Sequence, residues 1–304
     1  MLPRFLLAII LCGMTGSVTM AATSSDEAAA TGLLETPDQV YRSALLQAVG
    51  APAKTDIGDR ATLRLADGLA FIPRAPAIRL LAVRNQSVPS DFEGILVGPD
   101  GMDAQGTVRF VPAGFVDSDA ALAWTDDDML ASLNDTLSRT NKDRTQQRLE
   151  EQEARRWVVP PHYNPETHQI AWSALIVPKS APREADGEIR YHAIAFGRDG
   201  YVEIGIVTSL EKADDVGQIV TGFLAGLTFR PGHAYGDAVP SDRRAVGGLA
   251  AAMGIDSLHK AVSGDTFLSG DRVIPLAGGL VAAIGAISLF FYVHRYLRRR
   301  ARRV

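Results

Sequence analysis

The apolar positions of this chain switch repeatedly between a helical period and a strand period, and the switches outline its elements. Residues 37–49 place Val40, Leu45, Ala48 and Val49 on roughly one helical face behind a Pro-Asp start, which predicts a helix. From Asp59 the period becomes two. Ala61, Leu63 and Leu65 alternate with polar residues, and Asp67-Gly68 offers a turn into residues 69–72, which predicts a hairpin. A short helix over 75–84 follows, then strands over 92–97 and 107–116 separated by Gly, Pro and an Asp100-Gly101 turn. The long polar segment 125–155 reads as a helix. Thr125 stands where a cap is needed, and Asp126, Asp127 and Asp128 put negative charge at the positive end of the helix dipole. Met129, Leu130, Leu133 and Leu137 form its apolar stripe. Successive helical residues point in different directions, so the three aspartates do not converge on a metal ion.

Residues 157–159 and 170–177 read as a second hairpin, turned by Pro160-Pro161 and Asn164-Pro165. Strands over 189–196 and 201–207 are joined by a turn at Asp199-Gly200, and residues 213–227 are helical. A Pro231-Gly232 stop closes the domain. The fold class is α+β, a mainly antiparallel sheet with a few helices packed on one side, spanning residues 37–235. Residues 236–272, rich in Gly and Ala, read as a stalk with a weak helix near 242–261.

The two ends change the picture most. Starting at Val273, residues 273–293 run 21 positions without a charge, about the 20 needed to cross a hydrocarbon core. Residues 294–304 then carry Arg295, Arg298, Arg299, Arg300, Arg302 and Arg303 and no acid, which holds that flank in the cytoplasm. Within the span, Gly279 with Ala283 and Gly278 with Ala282 are small-residue pairs one turn apart, a pattern that supports a homodimer. At the other end, Arg4, the apolar run to Cys12 and the small residues Ala21 and Ala22 make residues 1–22 a signal peptide, followed by a disordered lead-in over 23–36. Removal of the signal peptide takes the single cysteine with it, which excludes disulfides and thiolate chemistry. The expected location is a bacterial inner membrane, single-pass, with the body in the periplasm and the C-terminus in the cytoplasm. All 35 acidic residues but only 24 of the 31 basic ones lie in residues 22–272, leaving the body near −11. That argues against nucleic acid as a partner and makes the arginine tail a lipid-facing topology signal.

Candidate chemistry is sparse. His162, Tyr163, Glu166 and His168 fall within seven residues, and two imidazoles with a carboxylate suit zinc or acid–base work. The two histidines flank a proline-rich turn without the tight spacing of zinc motifs, so solvated histidines on a turn are the competing reading. His192 is a further imidazole on a later strand. Ser257-x-x-Lys260 spells two fixed residues of a serine acyl-enzyme motif, but in the stalk and without its companions. The run from Gly94 to Gly101 lacks the Lys-Ser/Thr ending of a phosphate loop and reads as a turn. Trp157, Tyr163 and Trp172 are the candidate interaction residues, since aromatics make large contacts at low entropy cost. The weightier reading of the same three is the core of a hairpin. No cofactor is expected.

The blocks "GDRATLRLADGLAFIP", "RRWVVPPHYNPETHQIAWS", "AFGRDGYVEIGIVT" and "LAGLTFRPGHAYGD" resemble, in that order, a bacterial family of predicted membrane-anchored proteins catalogued as a domain of unknown function. The likeness spans roughly residues 37–255 and is most specific at Trp-x-x-Pro-Pro-x-Tyr. It implies a signal peptide, a periplasmic domain and a C-terminal anchor, and brings no catalytic residues. The functional expectation is a non-enzymatic module of the cell envelope, with the lipid bilayer and an envelope protein as partners. The alternative is a membrane-tethered hydrolase or metal-dependent enzyme working through His162, Glu166 and His168.

Overall fold

A computed structural model describes residues 36–83, 86, 88–99, 101–118 and 124–255. The expected signal peptide, most of the lead-in, the span, the basic tail and Ser257 with Lys260 lie outside the described residues. Among the described residues no helix is long and apolar enough to cross a membrane.

The chain builds an α+β domain around a large antiparallel sheet. In order it forms α1 (Pro37–Leu46), β1 (Val49–Gly50), β2 (Lys54–Ile57), β3 (Ala61–Arg64), β4 (Ala70–Pro73), α2 (Arg74–Ala82), β5 (Phe92–Gly98) and β6 (Gly101–Val111). There follow α3 (Asp126–Gln146), β7 (Gln152–Asn164), β8 (Gln169–Pro178), β9 (Glu188–Phe196), β10 (Tyr201–Thr208), α4 (Ala213–Gly226), β11 (Leu227–Phe229) and α5 (Gly248–Ala252). Eight strands pair in the order β1-β4-β5-β6-β10-β9-β8-β7, and β11-β3-β2 make a second, three-stranded sheet.

Alternation along the strands gives the large sheet two faces. One carries Val108, Val202, Ile204, Ile206, Ala193, Ala195 and Leu175 against α4 and the small sheet, with Phe223, Val216, Ile57 and Leu63 fully buried between them. The opposite face is covered in two parts. Ala77, Leu80 and Leu81 of α2 lie over Ile72, Phe92, Ile95 and Val97. Met129 and Leu137 of α3, with Leu249, Ala250, Met253 and Ile255, cover Ile170, Trp172, Ala174, Ile176, Ile194 and Phe196.

Several expectations are corrected here. The strands over 61–65 and 69–72 exist but do not pair with each other. β3 joins β2 and β11 while β4 joins β5 and β1, because Gly68, at φ +79°, redirects the chain between sheets. The helix over 125–155 keeps its Thr125 cap but stops at Gln146, and residues 152–155 already belong to β7. Pro160-Pro161 is not a turn. Both prolines lie inside β7, which tolerates them because one side of this strand is an open edge and because its register with β8 breaks between Val159 and His162, so no ladder bond needs their missing N–H groups. The stalk is partly folded. In residues 236–255, Arg198 forks onto Asp242 at 2.8 and 2.9 Å, Phe115 bridges Arg244, and the carbonyls of Gly254 and Ile255 accept from Thr136 and Ser132 of α3. Within the described part of the segment, Leu249, Ala250, Met253 and Ile255 are buried, so residues 236–255 form a strap against the domain.

Candidate functional site

The β7–β8 turn, the β9–β10 turn, the loop after β6 and the strap all meet at one end of the large sheet. Two glycines make the approach possible. A Cβ on Gly200 would stand 2.0 Å from the Val111 carbonyl oxygen, and one on Gly114, at φ +93°, 2.5 Å from that of Arg243.

The β7–β8 turn is locally specified. The Asn164 side chain accepts from the N–H groups of Glu166 (2.9 Å) and Thr167 (3.3 Å), and His168 takes the left-handed conformation at φ 52°. His168 is held there from outside. Its carbonyl accepts from Phe196 N–H at 2.9 Å, its ring stacks on Tyr235 at 3.9 Å, and its Nδ1 lies 3.1 Å from the Tyr163 hydroxyl. Tyr163 continues to the fully buried Ser118 Oγ at 2.5 Å, and Ser118 to the Tyr235 hydroxyl at 2.9 Å. Phe115 packs on Tyr235 at 4.6 Å and lies beneath the Arg244 guanidinium. The result is a hydrogen-bonded relay from His168 through Tyr163 and Ser118 to Tyr235, closed by the ring stack. It ties three distant segments together.

Two residues before Tyr235, His233 Nδ1 lies 2.7 Å from Asp199 Oδ2. A carboxylate orienting an imidazole is half of a general-base arrangement. Here, however, Arg60 reaches both partners, 3.3 Å from the same Asp199 oxygen and 3.2 and 3.4 Å from the ring nitrogens. A guanidinium is a donor only, so the triangle fixes His233 rather than presenting it to a nucleophile. Beside it, the fork from Arg198 and the Val239 N–H hold the Asp242 carboxyl below its ordinary range.

A third polar group lies under the sheet's two-part cover. Arg109 bonds Asp91 through both Nε and a terminal nitrogen and stands 3.8 Å from Glu203. Glu203 is 3.4 Å from His192, whose ring stacks on Trp172 at 5.2 Å. Burial opposes the charge of Arg109, but the bond to Asp91 and the charge of Glu203 outweigh it and raise the guanidinium's pKa. Burial also pushes the neighbouring Tyr201 phenol far up.

The sequence candidates therefore separate. His168 and Tyr163 join one cluster, His192 and Trp172 another, and the side chains of His162 and Glu166 are exposed on β7 and its turn. Trp157 donates its indole N–H to the Asp126 carbonyl, fastening β7 to α3. Among the described residues no three His, Cys, Asp or Glu side chains group so as to hold a metal ion. Ser118, Tyr235, His233, Arg60 and the Asp91–Arg109–Glu203 set drew no site role from the sequence, and Asp199 only that of a turn residue. The one available signal was the polar and aromatic richness of "GRDGY" and "RPGHAYGD", which read as turn and stop.

Comparison with curated proteins gives no match. Among solved structures, the solution structure of cyanobacterial PsbP (CyanoP) from Synechocystis sp. PCC 6803 is similar at 10% identity and a TM-score of 0.36, covering 60% of this chain and 95% of that one. Residues 50–262 match the model of a family described as protein of unknown function (DUF2167), and the chain belongs to that family.

Proposed function

We propose that the protein is an interaction module of the cell envelope, anchored in the inner membrane by residues 273–293, with its domain in the periplasm docking another envelope protein without catalysis. The uncharged run and the arginine tail support the anchor and its direction. The observation that carries the docking reading is the middle of β7. Val159 is 44% exposed, Pro160 and His162 are exposed, and the stretch lies on the open edge of the large sheet. Prolines without N–H groups refuse a new strand, yet with Val159 they offer a stiff apolar ridge, which suits an extended apolar segment of a partner. Trp157, Tyr163 and Trp172 position that ridge from within.

A photo-crosslinking residue at Val159 of the full-length chain in cells tests this, with exposed Glu211 as the control position. A partner captured from Val159 and not from Glu211, and lost on His162→Asp or Pro160→Ser, is the expected result. Identical adducts from both positions, or the chain recovered only with itself, would sink the reading. Stoichiometric zinc that disappears on His162→Ala would favour the metal-dependent alternative. For topology, a phosphatase fused after Phe229 should be active and one fused after Val304 inactive; the reverse pattern overturns the orientation.

A further inference from the structure

The outer edge of β7 is the exposed flank of an eight-stranded sheet, where unpaired N–H and C=O groups invite another strand. Its first half is closed in an unusual way. Asn141 of α3 accepts from the Gln152 N–H at 2.9 Å and donates to the Gln152 carbonyl at 2.8 Å. Asn134 does the same to Ala154, at 2.8 and 2.9 Å. Each side-chain amide thus reproduces the two-bond exchange that a neighbouring strand residue makes. The contacts continue at both ends, with Arg144 donating to the Glu150 carbonyl and the Trp157 indole to that of Asp126. As the helix positions fall from 144 through 141 and 134 to 126, their partners rise from 150 through 152 and 154 to 157, so the helix runs antiparallel beside the edge over its whole guarded length, about 27 Å of helix. Beyond it, Pro160-Pro161 takes over.

We infer that α3 serves as a surrogate ninth strand, and that Asn134 and Asn141 hold shut a latent strand-pairing surface whose occupant, once uncovered, is the same edge of a second copy of this chain. The edge is self-complementary about a two-fold axis through Glu153. Antiparallel pairing there sets Gln152 against Ala154 of the other copy, so the four freed backbone groups of each satisfy the other's. The same register sets Arg155 opposite the other copy's Glu151 on both sides of the axis, two pairings of opposite charges that outnumber the one like-charge contact of Glu153 with its own copy. The Arg155 and Glu151 side chains are solvent-accessible, at 31% and 46%. The latch operates whether or not the Val159 ridge docks a partner.

The test uses the full chain in its membrane, with Cys12→Ser and Glu153→Cys, because Glu153 faces its own copy across the axis. With both asparagines intact, oxidation should yield little disulfide dimer. Asn134→Ala with Asn141→Ala should raise the dimer roughly tenfold or more, and adding Ala154→Pro, which deletes an edge N–H, should abolish the gain. A folded double variant that crosslinks no better than its parent overturns the inference. If the double variant does not fold, amide exchange decides. In the unsubstituted chain the Gln152 and Ala154 amides must be protected, and Asn141→Ala must release Gln152 ahead of Ala154. Amides as fast as an open edge in the unsubstituted chain, or released together, overturn it.

Discussion

The two faces of the large sheet are made of different chemistry. The face beneath α4 is apolar from Leu175 through Ala193 and Ile204 to Val108, and the buried polar groups at Tyr191 and Ser173 on it are hydroxyls rather than ions. The other face interrupts its apolar cover with Asp91, Arg109, Glu203 and His192, all nearly buried. The difference separates two tasks. Apolar area drives folding without direction, whereas a buried ion set contributes little net stability and demands one geometry. The first face supplies apolar burial over most of its extent; the second sets a fixed group of ion pairs within its apolar surroundings.

Breaking the second face should have the largest effect. Arg109→Leu leaves Asp91 and Glu203 buried without their cation, a loss of about 3–5 kcal/mol in urea unfolding. Replacing the set together, with Asp91→Asn and Glu203→Gln added, should return most of it. If the single change costs no more than an exposed substitution, the ions do not specify packing. Phe223→Ala breaks the first face and should cost a similar ~3–5 kcal/mol through its cavity. The two losses part in their rescue: neutral amides at 91 and 203 restore the ion-set variant, whereas no polar change on the second face refills the cavity of Phe223→Ala.

The apolar face was also the legible one. Alternation at Ala61, Leu63 and Leu65, in 189–196 and in 201–207 located its strands, and the pattern of 213–227 located α4. Partner choice was hidden, since period two states which side a residue faces and not which strand lies beside it, hence the false hairpin at Asp67-Gly68. The polar face and the loop cluster were harder still. Arg109 and Glu203 are 94 positions apart, and no local spacing connects Ser118, Tyr163 and Tyr235. The histidine turn was visible because its residues are close in sequence, and the structure kept only His168 and Tyr163 of it together.

Alkaline pH sharpens the comparison on a smaller scale. Tyr201 lies on the charged face, and burial keeps its proton on in the folded state well above the ordinary range. Above about pH 10 the unfolded chain loses that proton and the folded one does not, so stability falls by about 1.4 kcal/mol for each further pH unit. Tyr201→Phe should flatten that slope. An unchanged slope would place the alkaline sensitivity elsewhere, with Tyr191, also raised by burial, as the next phenol to replace.

The smallest effect contrasts the two covering helices. α3 begins on a side-chain cap, Thr125 Oγ1 accepting from Asp128 N–H at 3.2 Å, and its mostly polar sequence buries only a thin stripe. α4 starts at Ala213, behind Lys212 and with no side-chain cap, and is held by Val216, Ile219, Val220 and Phe223. Local and tertiary stabilisation trade against each other, so a helix with little apolar burial depends more on its ends. Thr125→Ala should therefore cost about 1 kcal/mol and speed amide exchange through the first turn of α3, leaving α4 unchanged. Because Trp157 bonds the Asp126 carbonyl inside that turn, the fraying should reach β7. Fraying confined to α3 would mean that Asn134, Asn141 and Arg144 fasten the helix to the edge without the indole.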